Sequence, residues 1–97
     1  MKTIPEILRA AAGTFESRNA EYGDAYKRTG AMLLAMFPEG GIPAITNADD
    51  AARLATLLMV AMKMQRYAHA FADGGHKDSA HDTIVYAAML ETMTNES

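Results

Sequence analysis

The chain has 97 residues, of which 49% are hydrophobic, and a formal net charge of −3 at pH 7. Its length fits one domain, and its hydrophobic content is too high for a disordered chain. The sequence holds no cysteine, which excludes disulfides and thiolate metal sites. Its nine basic residues are scattered, whereas a duplex-DNA binder needs a concentrated basic face.

The apolar stretches of the chain are short. The N-terminus has no signal-peptide apolar region, and no uninterrupted apolar run approaches the roughly 20 residues that a membrane span needs. We therefore expect a cytoplasmic protein that binds neither a membrane nor duplex nucleic acid.

The first predicted helix covers about residues 4–18. Thr3 and Glu6 have the spacing of a capping box, and a proline between them fits the first turn of a helix. Apolar residues then recur at helical spacing. The pattern fades after residue 18, where Asn19 and Gly23 are the expected helix breaks.

The second predicted helix covers about residues 24–37, and Asp24 is a suitable N-cap for it. The next segment, residues 38–46, contains two prolines and two glycines. This density of helix-breaking residues predicts a loop.

The third predicted helix, about residues 47–71, is apolar on nearly every side. Such a helix is central and is covered by neighbours from its own chain or from a partner chain. A glycine-containing break precedes the fourth helix, about residues 78–93. Residues 1–97 thus predict a single all-α domain of four helices. Because so small a unit has difficulty covering its third helix, we expect a homo-oligomer, most simply a two-fold dimer.

Charged residues interrupt the last two apolar helices. Asp78, Asp82 and Tyr86 follow one another at a spacing of four residues, so they form one stripe on the fourth helix. Lys63 and Arg66 lie one turn apart on the third helix. Because an unpaired buried charge is costly, the two groups are expected to meet. Either Lys63 or Arg66 bridges Asp82 and fixes the helix register, or these charges line a cleft for phosphates or a metal.

Two further pairs of residues are candidate ligand contacts. His76 and Lys77 could place two donors over an anion near the N-terminus of the fourth helix, or they form a solvated loop. Tyr22 and Tyr26 could stack on a base, or they pack in the core or at an interface. The three histidines lack a zinc-site spacing, so no metal site is expected from them.

Three motifs in the chain resemble those of a family of small phage and prophage proteins of unknown function. They are Tyr22-Gly23-Asp24, Lys63 with Arg66, and Asp78-Ser79-x-x-Asp82-x-x-x-Tyr86-Ala87. The resemblance covers about residues 18–90. It implies a phage-encoded protein in the host cytoplasm. Asp24, in the first of these motifs, is also a candidate ligand-binding residue.

More distantly, the order of the helices is similar to that of all-α nucleoside triphosphate pyrophosphohydrolases of the MazG and dimeric dUTPase kind. Those enzymes hold Mg²⁺ with Glu-x-x-Glu on one helix and Glu-x-x-Asp on a later one. Here Lys63 and Arg66 fall at the first pair of positions, and Ser79 and Asp82 at the second. Two cations in place of two carboxylates reverse the local charge, so the usual Mg²⁺ cluster could not form.

These observations predict a protein that binds a nucleotide or related phosphate ligand in a degenerate pyrophosphohydrolase-like cleft without a cofactor. The charged residues of this cleft are Lys63, Arg66, Asp78 and Asp82. One alternative is a Mg²⁺-dependent nucleoside triphosphate pyrophosphohydrolase, in which Asp78 and Asp82 hold the metal with help from Asp24 or Glu21. Another alternative is a structural or partner-binding helical oligomer without a small-molecule ligand.

Overall fold

The computed structural model describes residues 1–95, except for the side chain of Tyr22, and has no β-strand within that range. The described helices are α1 (Ile4–Tyr22), α2 (Ala25–Met36), α3 (Ala48–His69) and α4 (Lys77–Thr92), with a short 3₁₀ helix at Phe71–Asp73. The prediction of an all-α fold with four helices is confirmed. Within residues 1–95, no helix is long and apolar enough to cross a membrane.

The first helix begins as predicted and ends later. The Thr3 hydroxyl accepts a hydrogen bond from the Glu6 amide at 3.3 Å, and the Glu6 carboxylate accepts one from the Thr3 amide at 3.4 Å. Both halves of the capping box are therefore formed. Asn19 does not break α1, which continues for one more turn. The helix ends at Gly23, whose φ of +64° is available to a residue without a Cβ.

The start of α3 is held by a polar cluster. The Asn47 side chain accepts a hydrogen bond from the Asp50 amide at 2.8 Å and donates one to the Asp50 carboxylate at 2.9 Å. Arg53 donates to the same carboxylate at 2.7 Å. The hydrogen bonds from Arg53 and then Asn47 lower the pKa of Asp50 below its ordinary 3.8. A lowered carboxyl pKa stabilises the fold above pH 3.8, and that contribution is lost as the pH falls through the lowered value.

The helices pack unevenly on one another. The most extensive contact joins α3 to α4, and α2 packs more lightly against α3. Among the side chains that the structure describes, only those of Ala61 on α3 and Ser79 on α4 are buried, with residue exposures of 2% and 1%. The third helix is therefore central, as predicted, but its own chain covers it only in part.

The chain is more extended than a compact monomer of its length. Its radius of gyration is 16.6 Å, with extents of 50 × 37 × 26 Å, whereas a compact domain of this length has a radius of gyration of about 12.5 Å. Its accessible surface is 7527 Å², whereas a folded monomer of the same mass exposes about 5,400 Å². Large apolar side chains remain exposed on every α-helix.

The connection from α3 to α4 depends on a glycine. Gly75 has a φ of +99°, and a Cβ added there would lie 2.5 Å from Cζ of Tyr67. The Gly75 backbone therefore lies against the Tyr67 ring in a conformation that other residues rarely adopt.

We predict that Gly75→Ala destabilises the protein by about 1–3 kcal/mol, because it strains the backbone at a positive φ and displaces the Tyr67 ring. The matched control is Gly13→Ala within α1, where an added Cβ would meet nothing within 4 Å. That control should stabilise by about 0.5–1 kcal/mol. Urea unfolding at one fixed protein concentration measures both changes. Equal stability of the two variants would contradict this account of the connection.

Candidate functional site

An ion pair joins α3 to α4. The Lys63 ammonium lies 3.1 Å from the Asp82 carboxylate. The Lys63 side chain is 14% exposed, and the Asp82 side chain is 41% exposed. The structure thus contains a bridge of the kind predicted as a register contact, between one basic residue of α3 and one acidic residue of α4.

The ion pair includes only two of the predicted cleft residues, Lys63 and Asp82. Asp78, Tyr86 and Arg66 lie outside this pair. Asp78 is exposed in the first turn of α4, where the helix dipole favours negative charge. Tyr86 is half-buried on the same helix. Arg66 is one turn beyond Lys63 on α3, yet it lines a cavity whose lining does not include Lys63 or Asp82.

This cavity, which we call the α1–α3 cavity, has a volume of about 380 Å³. It forms where the end of α1 and the start of α2 meet the second half of α3. Its lining residues are Phe15, Arg18, Asn19, Gly23, Ala25, Tyr26, Thr29, Met62, Gln65 and Arg66.

Among the described residues of this lining, the charged ones are Arg18 and Arg66. Of the two, only Arg66 is a predicted site residue. The available signal for Arg18 was its position three residues after Phe15, on the apolar stripe of α1. Thr29 and Gln65 were also missed. The Thr29 hydroxyl donates to the Gln65 side-chain oxygen at 2.9 Å, which links α2 to α3.

Two aromatic rings also line the cavity, those of Phe15 and Tyr26. The ring centroids of Phe15 and Tyr26 are 6.1 Å apart, with an interplanar angle of 77°, which is an edge-to-face contact. The Lys27 ammonium lies 5.7 Å from the Tyr26 centroid and 3.4 Å from the Asp24 carboxylate. The hydrogen bond to Asp24 raises the pKa of Lys27. Asp24 occupies the N-cap position of α2 as predicted, but its side chain makes no capping hydrogen bond.

A second polar cluster joins the end of α1 to the start of α4. Nδ1 of His76 lies 2.6 Å from the Ser79 hydroxyl and accepts a hydrogen bond from the Ser79 amide at 3.2 Å. Nε2 of His76 lies 3.5 Å from the Glu21 carboxylate. If Nδ1 accepts from Ser79, the proton of a neutral ring lies on Nε2, facing Glu21. Because its side chain accepts this hydrogen bond from the Ser79 amide, His76 is the N-cap of α4.

The remaining candidates of the sequence lie near this second cluster. Lys77 is exposed at the first position of α4. The side chain of Tyr22 lies outside the described residues. Within the part of the chain that the structure describes, no group of three or more His, Asp or Glu side chains is placed to hold a metal ion. Comparisons with protein families, curated proteins and solved structures found no match to this chain.

The ion pair should show an asymmetry between its two partners. Asp82→Asn leaves the little-exposed Lys63 ammonium without its counter-charge, whereas Lys63→Met leaves the better hydrated Asp82. We predict that Asp82→Asn lowers the free energy of unfolding by about 1–3 kcal/mol, and that Lys63→Met lowers it by less.

Urea unfolding of both single variants and of the double variant measures the coupling between the two residues. A double variant whose loss equals the sum of the two single losses would contradict a direct stabilising contact.

The N-cap contact of His76 has its own test. His76→Ala removes the acceptor for the Ser79 amide and should destabilise by about 1 kcal/mol. His76→Asn restores a capping acceptor and should recover most of that loss, although the contact with Glu21 is removed. Thermal unfolding compares the two variants. If His76→Asn is as unstable as His76→Ala, the helix cap is not what His76 contributes.

Proposed function

We propose that this chain is one protomer of a homo-oligomer in which helices from different copies share a hydrophobic core. The observation that carries the proposal is the accessible surface of 7527 Å². It exceeds the area expected of a compact monomer by about 2,100 Å². A folded chain gains by removing such a surface from water, since the free energy of burial grows with apolar area.

The size of this excess fits a stable assembly. Specific interfaces bury about 800 Å² on each partner, and obligate homodimers bury about 2,000–5,000 Å² in total. An excess of about 2,100 Å² per chain is therefore enough for an obligate dimer. The occupant that we propose for the uncovered surface is a second copy of this chain.

The first helix supplies the clearest contact surface. The residues of its apolar stripe share one face of α1 and are all exposed: Ile4, Ile7, Leu8, Ala11, Ala12 and Phe15. A helix with one apolar face gains most of its stability by packing that face on another element. Since the stripe is exposed along its whole length, we propose that it packs on another copy.

A second uncovered apolar surface lies on α4. Ile84, Val85 and Met89 are exposed there. With two such faces on one chain, α1 of each copy can pack on α4 of the other copy. A two-fold dimer satisfies both faces with one repeated contact.

The Lys63–Asp82 ion pair bears on the other functional hypotheses, which are a structural role of these charges and a Mg²⁺-dependent hydrolase. The Lys63–Asp82 pair supports a role for these charges in aligning α3 with α4. The Mg²⁺-dependent hydrolase would have to break this pair to free Asp82, and would need further carboxylates from another copy or another element. The resemblance to small phage proteins and to MazG-type enzymes stays a prediction.

Light scattering on the eluate of a sizing column tests the proposal. The wild-type chain should have at least twice the mass of one 10.5 kDa protomer. Leu8→Asp places a charge on the apolar stripe and should lower the mass or make it depend strongly on protein concentration. Ala20→Asp is the matched control, because it adds the same charge to an exposed position of the same helix on the face opposite the stripe.

The control variant should keep the wild-type mass, since Ala and Leu have similar helix propensities and both variants introduce the same residue. A wild-type chain that runs as a folded monomer would contradict the proposal. So would equal masses for Leu8→Asp and wild type across a dilution series.

A further inference from the structure

The first helix meets the rest of the chain near its C-terminal end. Its residues Phe15, Arg18 and Asn19 line the α1–α3 cavity, whereas residues 4–14 contribute nothing to that lining. Every residue from 1 to 18 is exposed. A helical segment without tertiary contacts is only marginally stable in water. Residues 4–14, which we call the α1 arm, therefore need a surface on which to pack.

A groove with an apolar lining lies along the first half of α3, away from the base of the arm. This α3–α4 groove has a volume of about 370 Å³ and is bounded by α3, the end of α4 and the connection from α2 to α3. Its apolar lining includes Phe37, Pro43, Ile45, Leu54, Leu57 and Leu90, all of which remain half-buried or exposed. Among the described residues of this lining, none belongs to α1. The chain's own arm thus leaves the groove open.

The charges of the groove favour an uncharged occupant. The charged residues described in its lining are Asp50 and Arg53, and Arg53 donates to the Asp50 carboxylate at 2.7 Å. Since the two charges offset one another, the groove favours neither an anion nor a cation, and burying an unpaired charge there would be costly. An apolar helix face is a suitable occupant.

The arm has such a face. Ile4, Leu8 and Ala11 follow one another at positions i, i+4 and i+7, which is the spacing of the anchor residues when an amphipathic helix binds in a groove. The charged residues of the arm, Glu6 and Arg9, lie on the other side of the helix. The arm can therefore fill the groove without burying a charge.

We propose that the α1 arm of one copy lies in the α3–α4 groove of a second copy. This inference rests on the proposed self-association and names its contact surface. Leu90 in the groove directly follows Met89 of the exposed α4 face, so the contact continues the packing of α1 on α4. In a two-fold dimer each copy gives its arm and receives the partner's arm, and one repeated contact fills both grooves.

Disulfide trapping tests the contact, because the chain contains no cysteine of its own. Ile4→Cys, Leu8→Cys and Ala11→Cys are each isotope-labelled, mixed with unlabelled Ile45→Cys, unfolded in urea, refolded together and oxidised. A disulfide requires the two Cα atoms to come within about 7 Å of each other. The mass of the cross-linked product identifies links between a labelled and an unlabelled chain.

At least one of the three arm variants should link to Ile45→Cys several-fold more than the matched control does. The control is Ala20→Cys, an exposed position of the same helix on the face opposite the stripe.

A charge placed in the groove gives an independent measurement. Ile45 is 40% exposed and lies outside the helices, so one chain should tolerate Ile45→Asp. Light scattering should nevertheless show a lower mass than for wild type, or a mass that falls on dilution. Thr46→Asp is the matched control, because Thr46 is exposed, follows Ile45 directly and does not line the groove. That control should keep the wild-type mass.

The outcomes separate this contact from self-association. An oligomer in which no arm variant links to Ile45→Cys more than Ala20→Cys does would overturn the groove contact and leave self-association intact. A link to Val85→Cys in place of Ile45→Cys would also overturn it, since the arm would then lie only on the exposed face of α4. Equal masses for Ile45→Asp and wild type across a dilution series would contradict it too. A folded wild-type monomer would contradict self-association itself, and the groove contact with it.

Discussion

The apolar surface of this chain is too large for the chain itself to cover. The proposed self-association follows from this constraint. The third helix carries apolar side chains around nearly its whole circumference, but α2 and α4 leave much of it half-exposed. The first helix has an exposed apolar stripe from Ile4 to Phe15. Among the residues whose side chains are described, only Ala61 and Ser79 are fully buried, so an isolated chain has a very small core. We propose a second copy of the chain as the source of the missing cover.

Within one chain, polar contacts align the helices where apolar packing is thin. The pair Lys63–Asp82 connects α3 to α4, and Thr29 with Gln65 connects α2 to α3. His76 connects the start of α4 to Glu21 near the end of α1. Each contact is specific in direction, whereas apolar packing is not. These contacts fix how the helices meet within one chain. In the oligomer that we propose, apolar burial between copies adds to the stabilisation that they supply.

The sequence predicts the helices well and the site less well, for physical reasons that differ. The start of α1 depends on Thr3 and Glu6, which are neighbours in the chain, so their pattern is readable. Two residues, Asn19 and Gly23, were expected to break α1. Asn19 does not, so the end was placed one turn early, whereas Gly23 with its positive φ ends the helix as expected. The pairing of Lys63 with Asp82 was predicted as one of two interpretations, since an apolar helix with a charge needs a partner.

Local sequence patterns could not predict the α1–α3 cavity. Arg18, Tyr26 and Arg66 come from three helices, and only the packing of those helices brings them to one cavity. Periodicity shows that Lys63 and Arg66 are one turn apart on one helix. It does not show that Lys63 contacts α4 while Arg66 lines a cavity beside α1 and α2. Two side chains one turn apart on a helix point in slightly different directions, and this difference decides which neighbouring helix each of them meets.

The concentration dependence of thermal unfolding tests the shared core most directly. If folding and association are one process, dilution shifts the equilibrium toward unfolded chains by mass action. The unfolding temperature of the wild-type protein should then rise by about 3–6 °C for each tenfold increase in protein concentration. An unfolding temperature that stays constant over a hundredfold range of concentration would contradict a core shared between copies.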